Sequence, residues 1–251
     1  MCHRPACLRT DLFSGFGLGT ILLPAFALFF PAEVAVSLTA IVHFLNNLFK
    51  LALLAHHAEL AVVLRFGLPA LISAFFGAQV LLMLADQQPI WHYHWLDHSF
   101  AVLPVNLVIG LLMIGFATLE LLPAARSFSL PRKYLPLGGV LSGFFGGLSG
   151  HQGALRTIFL LCCGLRKEAF IATGVVIACL VDVSRLIVYA DRFEAASLGQ
   201  NLGLLIVATA SAFTGAFIGN RLLTKVTMSG VRLLVAILLY CVAVLLAAGI
   251  I

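Results

Sequence analysis

Apolar residues along this chain occur in long runs that are separated by short polar connections. Most runs are close to the roughly 20 residues that a helix needs to cross about 30 Å of hydrocarbon. The pattern predicts eight membrane segments, at residues 11–30, 33–54, 61–84, 99–122, 134–163, 168–190, 199–220 and 231–250. The only long polar connections run 85–98 and 123–133, so residues 1–251 are predicted to form a single transmembrane domain without a soluble part.

Composition supports lipid as the main solvent of this chain. Hydrophobic residues make up 62% of the sequence and charged residues only 10%, with a mean hydropathy of +1.10. Soluble domains carry about 25% charged residues, because their exterior must face water. The net charge of +5 does not indicate nucleic-acid binding, since Lys and Arg lie in short loops between apolar runs, which is how membrane topology is encoded.

The two halves of the sequence are copies of one repeat, at residues 11–122 and 134–250. The hexapeptide SAFFGA at 73–78 recurs as SAFTGA at 211–216, 138 residues later. Four further positions recur at a single offset of 135 residues, pairing Ser14 with Ser149, Glu33 with Glu168, Asn47 with Asp182, and Lys50 with Arg185. An ordered series of matches of this kind indicates duplication, so each half is predicted to contain about four membrane segments.

A glycine-rich segment opens each half, and its path decides the topology. If both segments cross the membrane, there are eight spans and basic loop residues divide seven against five between the two sides. If both are re-entrant hairpins, the halves are inverted and the division is nine against three. Because cytoplasmic loops carry the excess of Lys and Arg, the second arrangement is favoured. The predicted fold class is therefore an all-α polytopic membrane protein with inverted repeats, broken glycine-rich segments and both termini outside.

Two polar pairs lie within otherwise apolar spans. Asn47 and Lys50 share one helix face, as do Asp182 and Arg185 in the second copy. An ionised side chain within hydrocarbon costs at least about 2.5–3.5 kcal/mol, so such residues commonly serve function. Two alternatives stay open, a structural polar clamp and snorkelling of Lys50 and Arg185 to the nearer interface.

The glycine-rich tips are candidate ligand contacts. Glycine allows close approach of the backbone, and the N-termini of broken helices attract anions. The candidate substrate-binding residues at the tips are Gly15, Gly17, Gly19, Gly150, His151, Gln152 and Gly153, with Arg156 as a fixed cation one turn later. The alternative is that these glycines only permit tight helix packing.

A histidine-rich stretch, WHYHWLDH at 91–98, is a possible metal site if His94 and His98 share a helix face. Its simpler interpretation is an aromatic belt in an outer loop. No arrangement of nucleophile, base and acid points to catalysis, so neither an enzyme nor a cofactor is expected.

The glycine tips and the residues that follow them resemble the sulfite exporter TauE/SafE family. The resemblance is carried by GFGLGTILLP at 15–24, Ala35-Val36-Ser37 at the next span, and the second-half copy from Gly143 to Gly174. It implies a secondary carrier of the cytoplasmic membrane that moves sulfite, sulfonates or related anions. One departure is that residues 1–11 lack the apolar character of 136–146, so either the start is incorrect or the first copy is degenerate. Another is His151 and Gln152, where more glycine is usual.

These observations predict a secondary transporter, with export as the expected direction, for a small anion such as sulfite or an organosulfonate. Lys50, Arg156 and Arg185 would supply positive charge, and Asp182 or His151 could couple protons. The expected partners are the anion and the lipid bilayer; a homo-oligomer is left open. Two alternatives remain, a membrane scaffold or assembly factor without transport, and a metal-ion transporter that uses the 92–98 loop.

Overall fold

The computed structural model describes residues 18–95, 98–122, 131–195 and 228–251, together with residues 203, 206, 207 and 210. Within these ranges the main elements are α1 (Leu18–Ala27), α2 (Ala32–Leu54), α3 (Leu60–Ala85), β1 (Trp91–Trp95), β2 (His98–Val102), α4 (Pro104–Leu121), α5 (Leu135–Ser149), α6 (Gly153–Leu161), α7 (Lys167–Ala195) and α8 (Met228–Ala247). A π-helical turn, Val63–Gly67, interrupts α3. Short 3₁₀ turns occur at Ala55–His57 and Arg132–Tyr134.

Four of the described helices are long and apolar enough to cross a membrane. They are Ala32–His57, Leu60–Ala85, Pro104–Leu121 and Lys167–Ala190. Large apolar side chains on these helices point outward, including Phe76 and Met83 on α3 and Ile187 on α7, each more than half exposed. Exposing such apolar side chains to water is unfavourable, whereas lipid tails solvate them without this cost. The chain is therefore a polytopic helical membrane protein, as its apolar pattern predicts.

The glycine-rich segment of the second half folds back on itself as a helical hairpin. Gly150 ends α5 with a φ of 78°, a left-handed conformation that glycine adopts readily, and α6 begins at Gly153. Near the other end of the hairpin, a Cβ at Gly138 would overlap the ring of Phe159, and Arg132 hydrogen-bonds the Cys163 carbonyl. At 1.5 Å per residue the arms are about 22 Å and about 14 Å long, so neither alone matches about 30 Å of hydrocarbon.

A stripe of three glycines, Gly139, Gly143 and Gly147, brings α5 unusually close to α3. A Cβ on any of them would overlap a backbone carbonyl oxygen of α3, at Phe66, Ala70 and Ala74 in turn. Both series rise in steps of four residues, so the two helices run parallel with their backbones in contact. Small residues at this spacing are typical of close helix pairs in membranes.

The helices that carry the two polar pairs, α2 and α7, pack against each other in opposite directions. Asn47 and Asp182 meet at the crossing, with 3.2 Å between Nδ2 and Oδ2. Towards one end, the backbone N–H of Glu59, just after α2, donates to Thr173 near the start of α7. α4 and α8 also run antiparallel, because Asn106 contacts Ile251 while Thr118 contacts Tyr240.

The described loops gather at two opposite ends of the molecule. At one end, the Tyr93 hydroxyl of β1 donates to the Ala248 carbonyl at 2.7 Å, so the β1–β2 hairpin lies against the C-terminal end of α8. At the other end are the two feet of the α5–α6 hairpin, near Arg132 and Cys163, and the turn between α2 and α3. The basic residues Lys133 and Arg166 belong to this second end.

The structure differs from two expectations for the first half of the chain. Residues 99–102, predicted to open the membrane segment 99–122, belong instead to β2 (His98–Val102). This strand pairs antiparallel with β1 in the register Trp91 to Val102 through Trp95 to His98. α4 begins only at Pro104, where proline suits a first helical turn. His94 and His98 consequently lie on paired strands and share no helix face. The predicted segments at 11–30 and 199–220 fall partly outside the described residues.

Candidate functional site

A buried carboxylate, Asp182, connects α2, α7 and the tip of the α5–α6 hairpin. It lies midway along α7 and is fully buried. Its Oδ2 atom is 2.7 Å from His43 Nδ1 and 3.2 Å from Asn47 Nδ2, both on α2. Its Oδ1 atom is 2.7 Å from Arg185 Nη2 and 3.4 Å from Gln152 Nε2. A buried ion of this kind persists only when several donors replace the water it has lost.

Arg185 is fully buried, one turn after Asp182 on α7. Its Nη1 atom donates to the Gly146 carbonyl at 3.4 Å and lies 3.0 Å from the place that a Cβ on Gly150 would occupy. The bare backbone of the hairpin tip therefore makes room for the guanidinium. One turn further, the Tyr189 hydroxyl donates to the Gly147 carbonyl. Complete burial rules out snorkelling to an interface for this arginine.

The hairpin tip contributes a second cation. Gln152 accepts from Arg156 Nη1 at 3.4 Å through its Oε1 atom, while its Nε2 faces Asp182. The tip is fixed by Ser142, whose hydroxyl donates to the Gln152 carbonyl at 3.0 Å. Arg156 lies in the first turn of α6 and is electrostatically coupled to Asp182.

Lys50 adds a third cation at the edge of the cluster. It is half-buried on α2, one turn after Asn47, and its ammonium group is close enough to Arg156 for the two charges to repel each other. Lys50 lies beside Arg156, and both Arg156 and Arg185 interact with Asp182, the one carboxylate of this cluster among the described residues. These three cations and one carboxylate together carry a net charge of +2. Uncompensated positive charge in a low-dielectric interior favours an anion.

His151 occupies the hairpin tip beside Gln152 and is buried. Its Nδ1 atom is 3.0 Å from the Ser149 carbonyl oxygen. Its ring stacks on Phe116 of α4, with 5.8 Å between the centroids and 3° between the planes. The imidazole is therefore held in one orientation.

Comparison with known protein families identifies the family of this chain. The family described as Sulfite exporter TauE/SafE matches residues 10–246, which is nearly the whole chain. The chain belongs to the TauE/SafE family. Its members are transporters rather than enzymes, and membership points to a membrane transporter of sulfite-like anions. No curated protein and no solved structure matched the chain.

Most residues that the sequence nominates in this TauE/SafE protein lie together. They surround the α2–α7 crossing. They are Asp182 and Arg185 of the second polar pair, Asn47 of the first pair, and the hairpin tip from Gly150 to Gly153 with Arg156. Lys50 lies beside them. Gly19 is in the first turn of α1. Gly15 and Gly17 lie outside the described residues.

His43 is a member of the cluster that the sequence analysis missed. It is buried on α2, and its Nδ1 atom makes one of the two shortest contacts to Asp182. The available signal was its spacing, since His43 lies four residues before Asn47 and so on the same helix face. The predicted repeat does not identify His43 as a site residue, because the position 135 residues later is Ala178.

The metal alternative gains no support from the part of the chain that is described. There, no group of three or more His, Cys, Asp or Glu side chains is arranged to hold a metal ion. His92 and His94 are exposed on β1. Asp97 lies outside the described residues.

Proposed function

We propose that this TauE/SafE protein is a secondary carrier of a small oxyanion, such as sulfite or an organosulfonate, across the cytoplasmic membrane. The observation that carries the proposal is the net charge of +2 in the largely buried cluster around Asp182. A resident carboxylate fixes the positions of the donors, and the two remaining positive charges are left for a ligand. Arginine suits this task because its planar array of donors matches the oxygens of an oxyanion.

The surroundings of the cluster also suit a carrier. The antiparallel crossing of α2 and α7, with Asn47 against Asp182, is what a two-fold axis between inverted copies at 11–122 and 134–250 would produce. Carriers built from inverted repeats commonly bind substrate where broken helices end near the midplane, as the α5–α6 hairpin does beside Asp182. Asp182, Arg185 and Gln152 are almost fully buried, as expected of an occluded conformation in alternating access.

Anion flux into proteoliposomes tests the proposal. Reconstituted protein should move sulfite or a sulfonate, and Arg185→Gln and Lys50→Gln should each lower the rate at least tenfold, since removing one charge-assisted contact costs about 1.5–3 kcal/mol. Lys133→Gln is the matched control, because Lys133 is an exposed cation at a foot of the hairpin. Its flux should equal that of the unaltered protein.

Two outcomes would overturn the proposal. Unaltered protein that moves none of sulfite, thiosulfate, sulfonates or carboxylates would favour a scaffold without transport. Equal flux in the Arg185, Lys50 and Lys133 variants would mean that transport occurs elsewhere in the molecule.

A further inference from the structure

The hydrogen bonds of His151 determine which of its nitrogens carries the proton. Nδ1 lies 3.0 Å from the Ser149 carbonyl oxygen, and a carbonyl can only accept. Nδ1 is therefore the N–H of the imidazole. In the neutral ring the other nitrogen, Nε2, then carries a lone pair and can only accept.

The Nε2 atom is buried, and no hydrogen-bond partner for it exists among the residues that the structure describes. The ring cannot turn to find one, because it is stacked on Phe116 and tied through Nδ1. Buried polar atoms are nearly always paired, so an orphan acceptor on a fixed ring calls for a partner that donates.

Arg185 presents the opposite kind of group next to the same tip. Its Nε atom is also buried and has no hydrogen-bond partner in the described part of the chain. Its Nη1 atom lies against Gly150, the neighbour of His151. Among the described residues, the charge of Arg185 on α7 acts on His151, and the ring of Phe116 on α4 stacks on it. A buried ring beside a guanidinium favours its neutral form.

We propose that this site selects oxyanions that also carry a hydrogen-bond donor, with Arg185 binding the anionic oxygens and His151 Nε2 accepting from a hydroxyl. This inference rests on the proposed anion transport and narrows its substrate class to hydroxylated or protonated monoanions. An anion without a donor leaves Nε2 unpaired, and one that turns an oxygen towards Nε2 places two lone pairs together. Sites that bind a substrate hydroxyl reject analogues without it for this reason.

Two matched pairs of permanent monoanions isolate the hydroxyl from charge and pH. They are hydroxymethanesulfonate against methanesulfonate, and 2-hydroxyethanesulfonate against ethanesulfonate. Affinities for purified protein, measured by calorimetry, should favour the hydroxylated member of at least one pair about tenfold or more, the usual consequence of a buried acceptor left unpaired.

Variants at position 151 assign the preference to the imidazole. His151→Met replaces the nitrogen acceptor with a thioether that accepts only weakly, so the ratio of affinities within the pair should fall towards one. His151→Gln supplies an amide oxygen that can accept, so it should keep part of the preference. Size-exclusion profiles and thermal unfolding check that each variant is folded.

The outcomes separate this inference from the proposed function. Equal affinity within both pairs, or a preference that survives in a folded His151→Met protein, would overturn the role of Nε2 while leaving anion transport intact. If the protein bound neither sulfite nor any of the four sulfonates, the proposed function itself would be overturned.

Discussion

Asp182 is held by groups on three different elements, so its charge stabilises more than one neighbour. His43 and Asn47 approach it from α2, Arg185 from its own helix and Gln152 from the hairpin tip. If the carboxylate were neutral, Arg185 and Arg156 would lose the negative charge with which both interact. Removing one partner of a buried ion pair is far more costly than replacing both.

Asp182→Asn should therefore destabilise the protein by about 3–5 kcal/mol, the usual cost of leaving a buried charge uncompensated. Thermal unfolding in detergent measures the change. Added sulfite should raise the midpoint of the variant more than that of the unaltered protein, because the anion replaces the lost negative charge. Glu59→Gln, at an exposed acid, serves as the control. A midpoint for Asp182→Asn within error of this control would contradict the prediction.

Single positions also mark the limit of sequence reasoning. The offset of 135 residues identified Asn47 and Asp182, and the structure brings those two side chains into contact. His43 could not be identified in this way, because the residue 135 positions later is Ala178 and a lone histidine in an apolar span has no distinguishing pattern. The protonation of His151 required the position of the Ser149 carbonyl, which follows from the turn geometry and not from residue types.

At the scale of elements, glycine determines how closely α5 approaches α3. The glycines at 139, 143 and 147 each face a carbonyl oxygen of α3, so a methyl group there has no space. Backbone oxygens cannot move aside as the end of a flexible side chain can. The contact therefore depends on the absence of side chains along a whole helix face.

Gly147→Ala should lower stability by about 1–3 kcal/mol, the typical cost of overpacking. Gly115→Ala on α4 is the matched control, because a Cβ there meets nothing within 4 Å. Alanine is the better helix former by about 0.5–1 kcal/mol, so this control should be neutral or more stable. Unfolding midpoints in detergent compare the two. Equal midpoints would show that α3 and α5 separate at little cost.

Element boundaries were predictable where periodicity is long and uniform. The spans at 33–54, 61–84 and 168–190 correspond closely to α2, α3 and α7. The strands at 91–102 were missed because an alternation of aromatic residues and histidines over five positions is also typical of an interfacial loop. Glycine content alone could not distinguish a crossing from a hairpin, since both tolerate it.

At the scale of the whole molecule, the contacts separate the described loops into two opposite ends. The feet of the α5–α6 hairpin, with Arg132 and Lys133, lie at the end opposite the β1–β2 hairpin and the C-terminus. From the bias of nine basic residues against three in the sequence, we predict that the first end faces the cytoplasm.

Cysteine labelling in intact cells tests this assignment. In a background without native cysteines, Ile250→Cys should react with a membrane-impermeant maleimide added outside. Lys133→Cys should react only after the membrane is permeabilised. The reverse result, with the C-terminus in the cytoplasm, would contradict the inverted arrangement.

The glycine stripe between α3 and α5 has a consequence for how such a carrier moves. In the repeat predicted from the sequence, α3 belongs to the first copy and α5 to the second, yet their backbones touch along three successive turns. We expect helices that interlock in this way to travel together, so the two predicted copies would not move as intact halves. We predict that the sliding surface lies at the α2–α7 crossing, because its polar contacts can be exchanged for those of a passing anion. In transport, α3 would then move with α5 rather than with α2, its neighbour within the same predicted copy.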